Sequence, residues 1–200
     1  MKLYGSHKND FNRCLYKKLA ADASSYNPVQ GKKIFDTYPY FIKNKRKLRT
    51  ADDLIVAISI AYSWMPTMLD MYEQSERSLA KLKKEIVRFK AIHSSVALLK
   101  KETEIKETLA IFCKATNNSV VGACKVLHLF YPLQVPIFDR RVIRAWNKLL
   151  PATAKIPILN QRNQVNCFYN YWLGILYWKE NLGHTGVRRI EKNYLNTGGI

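Results

Sequence analysis

The sequence predicts an all-α fold. Apolar residues recur at three- and four-residue steps along most of the chain, as one face of a helix requires. Ser, Thr and Asp stand at the heads of those runs, with Asn, Pro and Gly between them, and no alternating stretch of useful length marks a strand. The 200 residues suffice for one well-buried domain or two small lobes sharing a core, and 48% hydrophobic with 24% charged residues is the composition of a folded chain.

The elements follow in order. Thr50 and Asp53 have the spacing of a capping box, and "LIVAISIAYSWM" behind them is apolar on most sides until Pro66, which predicts a helix central to a core. From Ser75, the apolar residues Leu79, Leu82, Ile86, Phe89 and Val96 predict one long amphipathic helix, with His93 on the same stripe as a hydrogen-bonded core or boundary histidine. A further helix carries Ile105, Leu109, Phe112 and Cys113 up to "TNNS". There Asn117 and Asn118 end it, Ser119 caps the next helix, and Gly122 permits tight backbone at its start. The loop "YPLQVPIFD" leads into "RRVIRAW", where Val142, Ala145, Trp146 and Leu149 form a buried face and Asp139 is the N-cap. "QRNQVNCFYNYWLGILYWKENL" predicts a long helix with an aromatic face, and "TGVRRIEKNYL" a short last one.

Charge points to a partner. The formal net charge of +18 calls for a polyanion, and nucleic acid releases counterions when Lys and Arg neutralise its phosphates. Residues 1–50 carry a net +9, residues 51–138 a net +2, and residues 139–200 a net +7. If the ends meet, 1–50 with 139–200 form a basic lobe beside a central helical lobe of 51–138, with a cleft between two lobes of one compact 1–200 unit. The alternative is a scattered basic surface that serves solubility.

No stretch has the length of a membrane span and the start has no signal-peptide core, so a cytoplasmic protein is expected. Cys14, Cys113, Cys124 and Cys167 form no C-x-x-C pair and read as reduced structural thiols. Cys124 and His128 stand four apart on one helix face, a spacing that suits two metal ligands. With no second pair to complete a site, a packed face is the expected reading and no metal is expected.

The hairpin, Gly122, Lys125, the proline loop and the Asp that opens a helix together resemble the helix-hairpin-helix DNA glycosylase superfamily, whose members flip a damaged or modified base out of DNA. The resemblance covers about residues 103–146, with "LIVAISIAYSWM" corresponding to the family's early core helix. It implies two helical lobes, a catalytic carboxylate at Asp139, and a DNA phosphate held by the hairpin amides of Ser119, Val120, Val121, Gly122 and Ala123. The chain has one glycine where the family usually has two. Lys125, the counterpart of the Schiff-base lysine of members that also cut the backbone, lies three residues after that glycine and 14 before Asp139. The iron–sulfur loop of some members has no cysteines here, and no cofactor is expected.

The chemistry that this implies is base flipping into a pocket, then cleavage of the N-glycosidic bond, with Asp139 stabilising the positive charge that builds on the sugar and orienting or deprotonating water. Arg140, Arg141 and Arg144 are candidates for the flanking phosphates of double-stranded DNA, or else a solvated basic helix face. Lys125 is a nucleophile, a phosphate or base contact, or an ordinary helix-start lysine. Tyr62 and Trp64, near Pro66, and Phe138, beside Asp139, are candidates to stack on the flipped base, or core residues. Lys45, Arg46 and Lys47 in "YPYFIKNKRKLR" form a DNA-contacting arm or a solvated loop. Two other functions compete: a non-catalytic helix-hairpin-helix module, and a helical protein whose basic surface meets an acidic partner. A monomer is the default.

Overall fold

The computed structural model describes residues 43, 48–63, 65, 68, 69, 75–149 and 155–181. Within them the fold is all-helical, as predicted. The helices are α1 (Ala51–Tyr62), α2 (Glu76–Ile86), a 3-10 helix (Val87–Ala91), α3 (Ser95–Lys100), α4 (Glu102–Lys114), α5 (Val120–Phe130), α6 (Arg140–Leu149) and α7 (Gln164–Asn181). No helix among the described residues is long and apolar enough to cross a membrane.

Local chemistry sets the helix ends. The capping box forms at α1: the Thr50 hydroxyl accepts from Asp53 N at 3.2 Å, and Thr50 N donates to Asp53 Oδ2 at 2.9 Å. α1 stops at Tyr62, ahead of Pro66, where Ser63 caps it and its hydroxyl bonds the Ile60 carbonyl at 2.7 Å. Ser75 caps α2, and Ser94 caps α3 by accepting from Ala97 N at 3.0 Å.

The single long helix expected from Ser75 to Val96 is instead three pieces. The chain tightens into the 3-10 helix after Ile86, breaks at Ile92 and restarts behind the Ser94 cap. The break lets Phe89 and Ile92 both turn inward, with the Phe89 ring stacked on Trp172 at 5.7 Å, and leaves Val96 57% exposed. His93 falls at the break, where Gln134 Nε2 donates to its Nδ1 at 3.2 Å and its carbonyl accepts from Lys179 Nζ at 3.0 Å. The "HSS" preceding α3 is a start signal that periodicity alone does not register.

One hydrophobic core joins all of these elements. α1 packs on α2 and α5, α4 on α2 and α5, and α7 on α3, α4 and α5. The innermost helix is α7 rather than α1: every residue from Cys167 to Leu176 is buried, apart from the half-buried Asn170. Burying one such large side chain contributes about 1.5–3 kcal/mol. Rings link α7 to its surroundings in a continuous series. Trp178 and Trp146 lie 5.2 Å apart, Trp146 and Tyr171 4.9 Å, Tyr171 and Phe138 5.2 Å, Phe138 and Phe168 5.5 Å, and Phe168 and Trp172 5.8 Å. Trp146 thereby seats α6 on α7, with Val142 and Ala145 buried beside it as the spacing predicts. Most of the expected basic lobe lies outside the described residues; its described helices, α6 and α7, share this core with the central helices.

Candidate functional site

The α4–α5 hairpin forms where the sequence places it. Asn117 and Asn118 take left-handed conformations, φ 53° and 51°, which asparagine tolerates better than most residues. Ser119 then caps α5, its hydroxyl accepting from Gly122 N at 3.3 Å. Thr116 is buried under the turn, within hydrogen-bond reach of the Phe112, Cys113 and Ser119 carbonyls.

The hairpin amides are largely committed to the protein itself. Ser119 N donates to Thr116 O, Ala123 N to Ser119 O, and Gly122 N to the Ser119 hydroxyl. Val120 N donates to Gln164 Oε1 at 2.9 Å, while Gln164 Nε2 donates to Asn118 O at 2.7 Å. Val121 N is the amide left over among the described residues. Gln164, the first residue of α7, thus occupies the place in which the resemblance puts a DNA phosphate, and it bridges positions 46 residues apart. Replacing Gln164 by Ala is expected to cost about 1 kcal/mol by leaving the buried Val120 N–H without its acceptor, which chemical denaturation measures.

Gly122 has a different task from the one its sequence suggests. A Cβ there would lie 2.8 Å from the Tyr62 hydroxyl and 3.0 Å from Thr116 Cβ, so the glycine makes room for α1 rather than for a ligand. Tyr62 is 5% exposed, and its hydroxyl has no hydrogen-bond partner among the described residues. Burial first, then the nearby Cys113, pushes its pKa up to about 12. Burial likewise pushes the Cys113 thiol up to about 12, which leaves it an inert neutral thiol. Phe138 is fully buried among Phe168 and Tyr171. Both Tyr62 and Phe138 are therefore core residues with no ring face open to a stacking base. Trp64, Lys45, Arg46 and Lys47 lie outside the described residues.

Asp139 heads α6. Its Oδ1 accepts from Arg141 N and from Val142 N, each at 3.0 Å, the geometry of an N-cap. Its other carboxylate oxygen has no partner among the described residues, and the residue is half-buried. Arg140, Arg141 and Arg144 follow on the exposed face of α6, none of them in an ion pair among the described residues. The ion pairs found there join Arg88 to Glu85 and Glu104, and Lys106 to Glu102, all on the central helices. Among the described residues the carboxylate makes no ion pair with the arginines beside it. Lys125 is half-buried on α5. It and Asp139 each neighbour a member of a bonded pair: the Cys124 thiol meets both the N–H and the carbonyl of Phe138, at 3.2 and 3.4 Å. The proline loop thus lies along the face of α5 that bears Cys124 and His128.

No group of three His, Cys, Asp or Glu side chains that could hold a metal occurs among the described residues. The Cys124 and His128 pair faces the loop backbone. The described residues define an all-α protein with one buried core and a half-buried carboxylate at the head of a basic helix. No family model, curated protein or solved structure matches the chain.

Proposed function

We propose that the protein is a DNA glycosylase that flips a damaged or modified base from the duplex and hydrolyses its N-glycosidic bond. The observation that carries this is Asp139: one carboxylate oxygen is spent on capping α6, and the other is left without a partner among the described residues, beside exposed arginines. A helix needs only the first oxygen. The second is available to a reacting centre, on the side of the molecule that phosphates would approach.

In this mechanism the C1′–N bond breaks with its electron pair leaving on the base, and positive charge spreads over the sugar. The Asp139 carboxylate stabilises that charge. Water then adds through its oxygen to C1′ and gives up a proton to the carboxylate, leaving an abasic site. The guanidinium groups of Arg140, Arg141 and Arg144 hold flanking phosphates. Replacing any one of them by Gln is expected to weaken DNA binding similarly across sequences and to reduce the salt slope of the binding constant by about 1, measured by titration over a salt series.

The competing reading is a module that binds nucleic acid without catalysis. Both readings draw on the hairpin amides, most of which here serve Ser119, Thr116 and Gln164; what favours the enzyme is the Asp139 oxygen that capping leaves over, for which a binding module has no use. The deciding experiment is release of free base, detected by mass spectrometry, from unmodified, damaged and hypermodified duplex DNAs. Release of one base from one class supports the glycosylase and names its substrate. Salt-sensitive binding with no release from any DNA returns the protein to the binding module, and absence of DNA binding returns it to an acidic protein partner.

A further inference from the structure

The loop that delivers Asp139 is buried where it leaves α5. Val135, Pro136, Ile137 and Phe138 are all buried, and this stretch belongs to no helix. Buried backbone N–H and C=O groups outside regular structure need partners from elsewhere. Two side chains of α5, one turn apart, supply them. His128 Nδ1–H donates to the Val135 carbonyl at 2.5 Å, and the His128 ring is 1% exposed. The fully buried Cys124 sulfur accepts from Phe138 N at 3.2 Å, and its single S–H lies between two carbonyls, Val121 O at 3.2 Å on its own helix and Phe138 O at 3.4 Å. A third anchor comes from α7, where Trp172 Nε1 donates to the Gln134 carbonyl at 2.7 Å.

The Phe138 carbonyl belongs to the peptide that joins Phe138 to Asp139. With its N–H on the Cys124 sulfur and its carbonyl facing the same atom, Phe138 is fixed immediately before Asp139, whose Oδ1 then reaches the Arg141 and Val142 amides. The Phe138 side chain is held by ring contacts with Phe168 and Tyr171, and the Cys124 sulfur holds its backbone N–H.

We propose that Cys124 and His128 are positioning residues: they grip the backbone of Phe138 and Val135 and so hold the Asp139 carboxylate at the head of α6 in its working orientation. The catalytic half of this inference rests on the glycosylase reading; the grip itself does not. It also gives the i, i+4 spacing of a thiol and an imidazole a use other than metal binding. The two side chains act as a short strand edge would, pairing with a loop that has no strand beside it.

The test compares Cys124→Val and His128→Leu, which keep apolar volume and lose the polar atoms, with Cys124→Ser and His128→Asn, which keep a donor near the same place. Leu98→Ala, in the core on α3, serves as the control for stability loss alone. Two readouts are taken: hydrogen exchange of the Arg141 and Val142 amides in the free protein, and base release from a duplex carrying the base that the wild type removes.

The expected result is faster exchange of both cap amides in Cys124→Val and His128→Leu, with kcat down roughly a hundredfold and KM unchanged, as for a displaced catalytic group. Cys124→Ser and His128→Asn recover both, and Leu98→Ala lowers Tm without moving kcat. Unchanged cap exchange in Cys124→Val overturns the proposal, as does a matching loss of kcat in Leu98→Ala. If His128→Leu fails to fold, the Cys124 pair decides. A wild type that releases no base from any DNA overturns the glycosylase reading, and the exchange measurements then decide the grip on their own.

Discussion

Asp139→Asn is expected to lower base release on the order of 10³-fold or more while DNA affinity holds or rises. The amide keeps the oxygen that accepts from Arg141 N and Val142 N, and Asn caps a helix about as well as Asp, so stability should stay within about 1 kcal/mol of wild type. What it loses is the negative charge on the sugar side and the capacity to take a proton from water. Losing that charge also removes a repulsion toward phosphates that approach Arg140, Arg141 and Arg144. Free base measured by mass spectrometry, beside a binding titration and a thermal melt, separates the three effects. Equal release by Asp139→Asn would remove Asp139 from the chemistry and leave it a cap.

Gly122→Ala is expected to destabilise the fold by about 1–3 kcal/mol, the usual range for overpacking a tight core. In most helices this substitution stabilises by about 1 kcal/mol through propensity. Here the new methyl would meet the Tyr62 hydroxyl at 2.8 Å, Thr116 Cβ at 3.0 Å and Tyr62 Cε2 at 3.2 Å, and the Tyr62 ring is buried in the core. Tyr62→Phe removes the nearer clash together with a buried hydroxyl that has no partner among the described residues, so alone it should be neutral or stabilising. The double variant should recover part of the loss, the contacts with Thr116 Cβ and ring carbon Cε2 of residue 62 remaining. A double-mutant cycle by denaturant titration reads this coupling. If Gly122→Ala instead kept wild-type stability and lost DNA affinity, the glycine would be serving close approach of a phosphate, as the hairpin resemblance implies.

Much of the fold was legible because the signals are local. The Thr50–Asp53 box, the Ser119 cap behind two left-handed asparagines, and Asp139 at the head of α6 each involve residues within a few positions of one another. The break at Ile92–Ser94 was missed for a related reason. A three- and four-residue stripe runs on through a helix, a 3-10 turn and a second helix in nearly the same phase, and periodicity does not register the Ser94 cap between them.

The rank of the helices was less legible. "LIVAISIAYSWM" is the more apolar by composition, yet α7, with its tyrosines and tryptophans, lies deeper. Large rings bury more area, and Tyr169 and Trp172 spend their polar atoms on the Leu98 and Gln134 carbonyls. The candidate site divides the same way. Asp139 and the arginines of α6 sit where spacing puts them, while Tyr62 and Phe138, chosen for their rings, belong to the core.

By itself, then, the sequence determined the helical class, the helix ends and the placement of one carboxylate before three arginines, since caps and turns are contests among neighbouring backbone and side-chain groups. Only the tertiary structure decided that Gly122 yields to Tyr62, that Gln164 takes the hairpin amide, and that Cys124 and His128 hold the loop. Those partners lie between 7 and 60 residues apart, and no periodicity encodes which buried donor will meet which acceptor. Packing selects them, because a polar group shut away from water must take the partner that the fold brings to it.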